Sequence, residues 1–210
     1  MYKRQDKGEL LIEGLTPTEQ DVFELSDEFV KSSLSSNGVE LFEMDSYSKR
    51  LWLEPALSIL AIDAPPVAES VNLLIPKAKA KVSLRLPPTE DPDHAMNMLE
   101  KHIKENTPFN ANVNFIPEAK GKGILVDPKN EFSSKLIESF NKNWENEVAY
   151  MGVGGSIPFA NVFINEFPNS EIVLVGAGDE EGNAHAPNES VNIDDIKRLI
   201  TSLTDALSNY

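Results

Sequence analysis

The sequence predicts an α/β protein in two parts: an α+β module with an antiparallel sheet over residues 1–117, then an α/β segment over residues 118–210. Three observations support this fold class. Residues 78–86 alternate strictly between apolar and polar side chains, which is typical of a strand with one solvated face. Residues 91–105 carry apolar side chains at helical spacing after an Asp-Pro start. Residues 171–175 form a short apolar run, as expected for a buried parallel strand.

Further elements of the first part follow from local patterns. The run Thr16-Pro17-Thr18-Glu19 has an N-cap residue, a proline and a glutamate in the order that opens a helix, so we predict a helix over 17–34. Residues 55–62 and 71–75 are predicted strands, and Val113 and Phe115 mark another. The apolar patch at 9–13 begins abruptly, and we expect the fold to start upstream of it.

The second part alternates helices with a strand. We predict a helix opening at Asp127-Pro128, a short helix at 158–167, the strand at 171–175 and a last amphipathic helix beginning near Ile193. A loop containing His185 follows the carboxyl end of the predicted strand. Open α/β sheets place their ligand sites at such positions.

Composition limits the classes of partner. The 210 residues are 40% hydrophobic, which is enough for a packed core. There are 34 acidic and 19 basic residues, a net charge of -15, and both parts are acidic, which disfavours nucleic acid and anionic membrane surfaces. No stretch approaches the roughly twenty apolar residues of a membrane span. Cysteine is absent, which suits a reducing compartment, so we expect a cytoplasmic location.

The strongest chemical signal is Asn183-Ala-His185-Ala-Pro187-Asn188-Glu189. A tight loop rich in Gly, Asn and Pro can hold an imidazole rigidly toward a cation, so His185 is a candidate metal ligand. Asn188 and Glu189 are candidates to orient it by hydrogen bonds, although Glu189 would also suit a cap on the helix that follows. A lone loop histidine is more often a plain surface residue.

Two other features suit substrate binding. The turn Gly154-Gly155-Ser156-Ile157-Pro158 offers free N–H groups to a carboxylate or phosphate, although many such turns are only connections. Arg85, on the polar face of its predicted strand, is able to hold a carboxylate through two hydrogen bonds, while the alternative is a solvated surface charge.

The sequence does not contain enough recognisable metal ligands for a complete zinc site. A hydrolytic zinc site needs about three protein ligands, and the chain has three histidines and no cysteine. His94 and His102 are too far apart on one predicted helix to share an ion, so capping, packing or solvent exposure is their better interpretation. Trp52 and Trp144 are predicted to be packing residues. We assign no catalytic residue in this chain.

These motifs, in this order, resemble a known family. Residues 154–159, Phe167-Pro168, an apolar strand ending in Gly and residues 183–189 are similar to the C-terminal part of zinc-dependent metallopeptidases, which include carnosinase-like dipeptidases, aminoacylases and glutamate carboxypeptidases. Trp52-x-x-Pro55 and residues 74–87 are similar to strands of that family's lid, or dimerisation, domain. The resemblance implies an N-terminally incomplete lid domain at 1–117 and, at 118–210, the C-terminal segment of a phosphorylase/hydrolase-like catalytic domain.

The resemblance also implies roles for particular residues. His185 would bind zinc in a two-zinc site, Arg85 would hold the C-terminal carboxylate of the substrate, and Gly155 and Ser156 would line the same pocket. A metal-activated water would attack the amide of a dipeptide or short peptide, and the lid domain would form a homodimer. The remaining ligands and the glutamate base have no match here, so we expect a fragment that is inactive alone.

Two alternatives stay open within the resemblance. The chain would belong to an N-acyl amino acid deacylase, such as a desuccinylase, or it would be a truncated, non-catalytic dimerisation module. Carnosinase-like members usually have Arg-Glu where this chain has Gly152-Val153. The missing glutamate argues against that route for recognising the free amino group of a substrate.

Overall fold

The computed structural model describes residues 10–32, 45–126, 129–153, 158–179 and 182–210. These ranges contain α-helices at α1 Asp27–Ser32, α2 Tyr47–Trp52, α3 Pro92–Glu105, α4 Glu131–Asn143, α5 Pro158–Glu166 and α6 Ile193–Ser208. They also contain strands β1 Ala56–Asp63 and β2 Lys79–Arg85, with short 3₁₀ turns at Val67–Glu69 and Pro108–Asn110. No helix within these ranges is long and apolar enough to cross a bilayer.

The chain divides into two compact units. The first contains Met1–Gly123 and Met151–Ser156, and the second contains Ile124–Tyr150 and Ile157–Tyr210. The domain boundary predicted after residue 117 stays a prediction.

A two-stranded antiparallel sheet forms the centre of the first unit. Leu57 of β1 faces Leu84 of β2, Ile59 faces Val82, and the register changes between Ile59 and Ala61. The predicted strands at 55–62 and 78–86 are confirmed. Their inner side chains belong to the core, where Leu57 is 1% exposed and Leu84 and Val82 pack against the same cluster.

Helix α3 covers this core and follows its predicted course. The carboxylate of Asp91 accepts hydrogen bonds from the N–H groups of Asp93 and His94, which otherwise have no partner in the first helical turn. Ala95, Leu99 and His102 are its buried residues. Leu99 joins Ile12 and Leu57 in one buried cluster. The helix predicted over 91–105 is therefore confirmed.

The helix predicted over 17–34 is wrong for most of its length, because the described part of this stretch is helical only in α1. The N–H of Thr18 donates to the carbonyl of Leu53 at 2.8 Å, and the N–H of Leu25 donates to the hydroxyl of Ser48 at 2.8 Å. Backbone donors that a helix would pair locally are thus paired with distant residues, and this tertiary pairing overrides a favourable local start signal. Residues 33–34 of the prediction lie outside the described residues.

Three predicted strands are also absent from the described part of the chain. Residues 71–75 lie in an exposed loop between β1 and β2, and neither 113–115 nor 171–175 forms a strand. A strand requires a hydrogen-bonded neighbour, and an alternating or apolar sequence does not supply one. In the run at 171–175, Leu174 and Val175 are about half exposed, so the prediction of a buried parallel strand is wrong for this chain as described.

Helices α4 and α6 pack on each other in the second unit. Their buried residues are mostly small: Ser133, Leu136 and Ser139 on α4, and Ser202 and Ala206 on α6. Small side chains at a helix contact allow the two backbones to approach closely. The helices predicted at 158–167 and from Ile193 are confirmed as α5 and α6, whereas the predicted start at 127–128 lies outside the described residues.

Candidate functional site

The loop that carries His185 is closed by its own backbone. The N–H of Ser190 donates to the carbonyl of Gly182 at 2.9 Å, so the two ends of the loop meet. Within it, the N–H of Ala186 donates to the carbonyl of Asn183 at 2.9 Å. The predicted tight loop is therefore present, held by main-chain hydrogen bonds that depend little on the side chains around them.

Several residues of this loop have left-handed backbone conformations. The φ angles of Asn183, His185 and Asn188 are 50°, 65° and 64°. Residues other than glycine seldom adopt this region, although asparagine and histidine do so more often than most, and asparagine is helped by local hydrogen bonds of its short side chain. Strain of this kind costs on the order of 1–3 kcal/mol, persists only where the surroundings impose it, and clusters at functional sites.

The side chains of His185, Asn188 and Glu189 are all exposed. The imidazole is therefore open to a ligand from solvent or from another polypeptide. The cap of α6 is Asn192, whose side chain accepts from the N–H of Asp194 at 2.9 Å. A capping role for Glu189 is therefore wrong.

The described residues do not form a metal centre by themselves. Across the ranges that the structure describes, no group of three or more His, Asp or Glu side chains is placed to hold an ion. A protein zinc site uses three or four ligands. The imidazole of His185 suits zinc as one ligand, and further ligands would have to come from elsewhere.

Arg85 lies at the end of β2, opposite Ala56 of β1, with an exposed side chain. Its neighbour on the same face, Lys81, pairs with Glu118 at 2.7 Å. Arg85 belongs to the first unit and His185 to the second. Gly155 and Ser156 lie outside the described residues.

The other two histidines have structural partners. Nδ1 of His94 lies 2.8 Å from Oε1 of the buried Glu90, one helical turn before it. His102 is buried, and its Nδ1 lies 3.4 Å from the side-chain nitrogen of Asn106. His102 is thus a packing residue and His94 is an exposed one with an acidic partner, as the interpretation of both as capping, packing or solvent-exposed residues predicts.

Both tryptophans also pack, as predicted. The Trp144 ring stacks on Phe140 with centroids 5.9 Å apart, and the guanidinium of Arg198 lies 5.8 Å from its centre. Trp52 packs against the backbone of Gly152, where a Cβ atom would lie only 2.4 Å from the indole Cγ. Position 152 therefore requires glycine. This contact was not predicted from the sequence, in which the only signal of it was Gly152 at a position where carnosinase-like members usually have Arg.

Two carboxyl groups of α6 have shifted acidities. Hydrogen bonds from the Lys142 ammonium and the Ser139 hydroxyl lower the pKa of Asp205 below its ordinary value of 3.8. A hydrogen bond from Lys197 lowers the pKa of Asp194 in the same direction. Both groups stabilise helices and lie outside the His185 loop.

Comparison with known proteins shows what the chain is similar to. Residues 12–111 match the peptidase dimerisation domain of the M20 peptidases. This match places residues 12–111, just under half of the chain, in that domain family. It is also 25% identical, over 98% of its own length, to a cysteinylglycine-S-conjugate dipeptidase of Corynebacterium striatum. That match covers 46% of the relative, so the chain spans about half the length of the curated relative it matches.

Solved structures share the fold. An M20 metallo-carboxypeptidase of Sulfolobus solfataricus matches with a TM-score of 0.69 at 23% identity, covering 98% of this chain and 49% of the other. The di-peptidase Dug1p of Saccharomyces cerevisiae gives 0.70 at 20%, covering 98% and 46%. Human carnosine dipeptidase 1 gives 0.66 at 18%, covering 98% and 47%. The predicted fold class and the resemblance to metallopeptidases with a lid domain are confirmed.

Proposed function

We propose that this M20 chain is part of a di-zinc metallopeptidase that hydrolyses dipeptides or short peptides. The observation that carries the proposal is homology to a cysteinylglycine-S-conjugate dipeptidase along 98% of the chain. The His185 loop supports it, because an exposed imidazole carried on a backbone loop closed by hydrogen bonds suits a metal ligand. The chain alone is inactive in this proposal, since its described residues supply no complete ligand set.

His185 is the proposed zinc ligand, and Asn188 and Glu189 orient it through hydrogen bonds formed in the assembled site. Zinc, when bound, supplies Lewis-acid activation of the water that attacks the amide. The general base and the remaining ligands lie outside this chain. The left-handed backbone of His185 contributes by fixing the direction in which the imidazole leaves the loop.

Arg85 is the proposed clamp for the C-terminal carboxylate of the substrate. Its guanidinium is exposed at the end of a strand, and its planar fork matches the two oxygens of a carboxylate. Gly155 and Ser156 are proposed to line the same pocket with backbone and hydroxyl donors. Homodimerisation through residues 12–111 follows from the matched domain, and exposed β1 side chains such as Ile62 suit such a contact. The cytoplasmic location stays a prediction.

Two alternatives have specific support. Val153 stands where carnosinase-like relatives are expected to have Glu, and the loss of that carboxylate as a partner for a free amino group favours an N-acyl amino acid deacylase. The lack of a ligand cluster in the described residues favours a dimerisation module without catalysis. The class of substrate hydrolysed distinguishes the deacylase from the dipeptidase. The zinc content distinguishes the dimerisation module from both enzymes.

A chimera tests the proposal. Residues 1–210 would replace the matching part of the Corynebacterium striatum dipeptidase, and the purified protein would be assayed for zinc content and for hydrolysis of cysteinylglycine S-conjugates and N-acyl amino acids. We expect dipeptide hydrolysis that falls by about 100-fold or more in His185→Ala, with loss of zinc. His94→Ala, the matched control, keeps both.

Each contrary result has a definite meaning. Unchanged zinc and activity in His185→Ala would remove the ligand assignment. Preference for N-acyl amino acids would favour the deacylase. A folded, dimeric chimera that binds no zinc and hydrolyses neither substrate would favour the dimerisation module.

A further inference from the structure

The indole of Trp52 contacts Gly152, which precedes Gly155 of the proposed substrate pocket by only three residues. A Cβ atom at position 152 would lie 2.4 Å from Cγ, 2.5 Å from Cβ and 2.8 Å from Cδ1 of Trp52. Gly152 is partly buried, whereas Met151 and Val153 on either side of it are exposed. The side chain of Trp52 therefore restricts where the backbone can lie just before the predicted turn at 154–158.

Trp52 is itself held in place, because the short helix that it ends is anchored on both sides. Within α2, the fully buried hydroxyl of Ser48 accepts a hydrogen bond from the N–H of Leu25 at 2.8 Å. Directly after α2, Leu53 is buried and its carbonyl accepts from the N–H of Thr18 at 2.8 Å. These hydrogen bonds fix the backbone at Trp52 to the rest of the first unit.

The segment that follows Trp52 leads into the strand opposite Arg85. Ala56, four residues after Trp52, is the first residue of β1 and pairs in register with Arg85 at the end of β2. Trp52, Arg85 and residues 151–156 belong to the same compact unit. The backbone from Trp52 to Ala56 therefore connects the contact at Gly152 with the strand pair that carries Arg85.

We propose that Trp52 is a positioning residue for the C-terminal carboxylate of the substrate. Its ring fixes the backbone that leads to Gly155 and Ser156 relative to β2, so that the donors of the turn and the guanidinium of Arg85 bind one carboxylate together. The inference rests on the proposed function, which assigns these three residues to that pocket. A displacement of about 1 Å in such supporting structure lowers the efficiency of an enzyme by up to about 100-fold.

A packing role alone would have a different consequence. If Trp52 only stabilised the fold, its loss would affect all substrates alike. A positioning role affects substrates that end in a free carboxylate, because the planar fork of Arg85 binds two charged oxygens. A C-terminal amide has one acceptor oxygen and no charge, so it does not depend on that arrangement.

The test compares a substrate with its C-terminal amide. The chimera that contains residues 1–210 is assayed with a cysteinylglycine S-conjugate and with the amide of the same compound. In Trp52→Ala, KM for the free acid is expected to rise by about tenfold or more, with kcat changed by less than about threefold, because the carboxylate is bound equally before and in the transition state. The kcat/KM for the amide should stay within about twofold of the parent value. The zinc content should not change, since His185 lies in the other unit.

Two variants are the controls. Trp52→Phe keeps the Cβ, Cγ and Cδ1 atoms that lie nearest to Gly152, so it should retain at least about half of the preference for the free acid. Trp144→Ala removes the tryptophan that stacks on Phe140 in the second unit. It should lower the melting temperature and leave the preference for the free acid unchanged.

Fluorine NMR tests the contact without catalysis. The 210-residue chain contains two tryptophans, so labelling with fluorotryptophan gives two signals, and Trp144→Ala identifies the one from Trp52. Gly152→Ala is expected to shift the Trp52 signal and to leave the Trp144 signal in place. An unmoved Trp52 signal would overturn the proposal.

Two results in an active chimera would overturn the inference and leave the proposed function standing: an unchanged preference for the free acid in Trp52→Ala, or an equal loss of kcat/KM for the acid and the amide. If the parent chimera hydrolyses neither dipeptides nor N-acyl amino acids, the proposed function fails, and titration calorimetry with the same acid and amide decides the inference. Tighter binding of the acid by the parent, lost in Trp52→Ala, would uphold it. Equal binding of the acid and the amide by the parent would overturn it.

Discussion

The hydroxyl of Ser139 in α4 donates a hydrogen bond to the backbone carbonyl of Ser202 in α6, at 2.9 Å. Both residues are buried, Ser202 completely. A helix carbonyl has a second lone pair beyond its own helical bond, so Ser139 joins the helices without breaking α6. The hydroxyl of Ser202 itself has no hydrogen-bond partner among the described residues. Ser139 thus stabilises the contact between α4 and α6 through its hydrogen bond, whereas the unpaired Ser202 hydroxyl destabilises the same contact.

Alanine substitutions are expected to separate them. Ser139→Ala removes the bond between the helices and should lower the free energy of unfolding by about 1 kcal/mol. Ser202→Ala removes a buried hydroxyl that lacks a partner and should leave stability unchanged or raise it by about 1 kcal/mol. Urea unfolding followed by circular dichroism measures both, and a greater loss in Ser202→Ala than in Ser139→Ala would contradict the assignment.

Gly152→Ala is expected to destabilise the first unit. The added methyl would lie 2.4 Å from the Cγ atom of Trp52, so the indole or the backbone would have to shift. The cost of such overpacking is about 1–3 kcal/mol. Gly176→Ala is the matched control, because nothing lies within 4 Å of the point that its added methyl would occupy, and it should change stability by less than about 0.5 kcal/mol. Equal melting temperatures for the two variants would rule out the close approach.

Ser48→Ala should cost about 1–3 kcal/mol in the free energy of unfolding. The Ser48 hydroxyl is fully buried and accepts from the N–H of Leu25 at 2.8 Å, so its removal leaves a buried donor unpaired. Ser58→Ala, at an exposed position on β1, is the control and should be nearly neutral. Native-state hydrogen exchange offers a second readout, because the Leu25 amide should lose its protection in Ser48→Ala alone.

Acid should weaken the contact that Asp205 makes with Lys142 and Ser139. Because the pKa of Asp205 is lower in the folded chain than its ordinary 3.8, its stabilisation is present above that value and is lost as the pH falls through the folded pKa. The stability difference between the parent and Asp205→Asn should therefore be largest near neutral pH and shrink below 3.8. Lys142→Met should reduce that difference. If the stability difference between the parent and Asp205→Asn grew on acidification, the contact would not be stabilised by the ionised carboxylate, contrary to this prediction.

The backbone of His185 predicts which substitutions its loop accepts. At φ 65°, asparagine and glycine should be tolerated, whereas a β-branched valine should cost about 1–2 kcal/mol. In the chimera, His185→Asn should therefore keep the fold and lose the zinc ligand. Metal analysis together with thermal melts would separate the two effects. A valine variant as stable as the asparagine variant would show that the left-handed conformation is not imposed.

Elements with strong local signals were predictable. The Asp91 cap and apolar spacing located α3, and alternation located β2, because capping and side-chain period act over a few residues. The helix at 17–34 failed although its start signal was good, since Thr18 and Leu25 donate to residues far along the chain. Strands without a partner in the described part failed for the same reason: pairing is a property of two segments.

The sequence alone determined the family resemblance, the positions of strands β1 and β2 and of helices α3, α5 and α6, and the candidate loop around His185, all of which depend on residues close together in the chain. Only the tertiary structure decided that His185 is left-handed, that the Trp52 ring excludes a side chain at Gly152, and that Ser139 meets Ser202. The contacts Trp52–Gly152 and Ser139–Ser202 join residues that are far apart in the sequence. Such contacts depend on how packed elements exclude volume and satisfy buried polar groups, and no local periodicity records that.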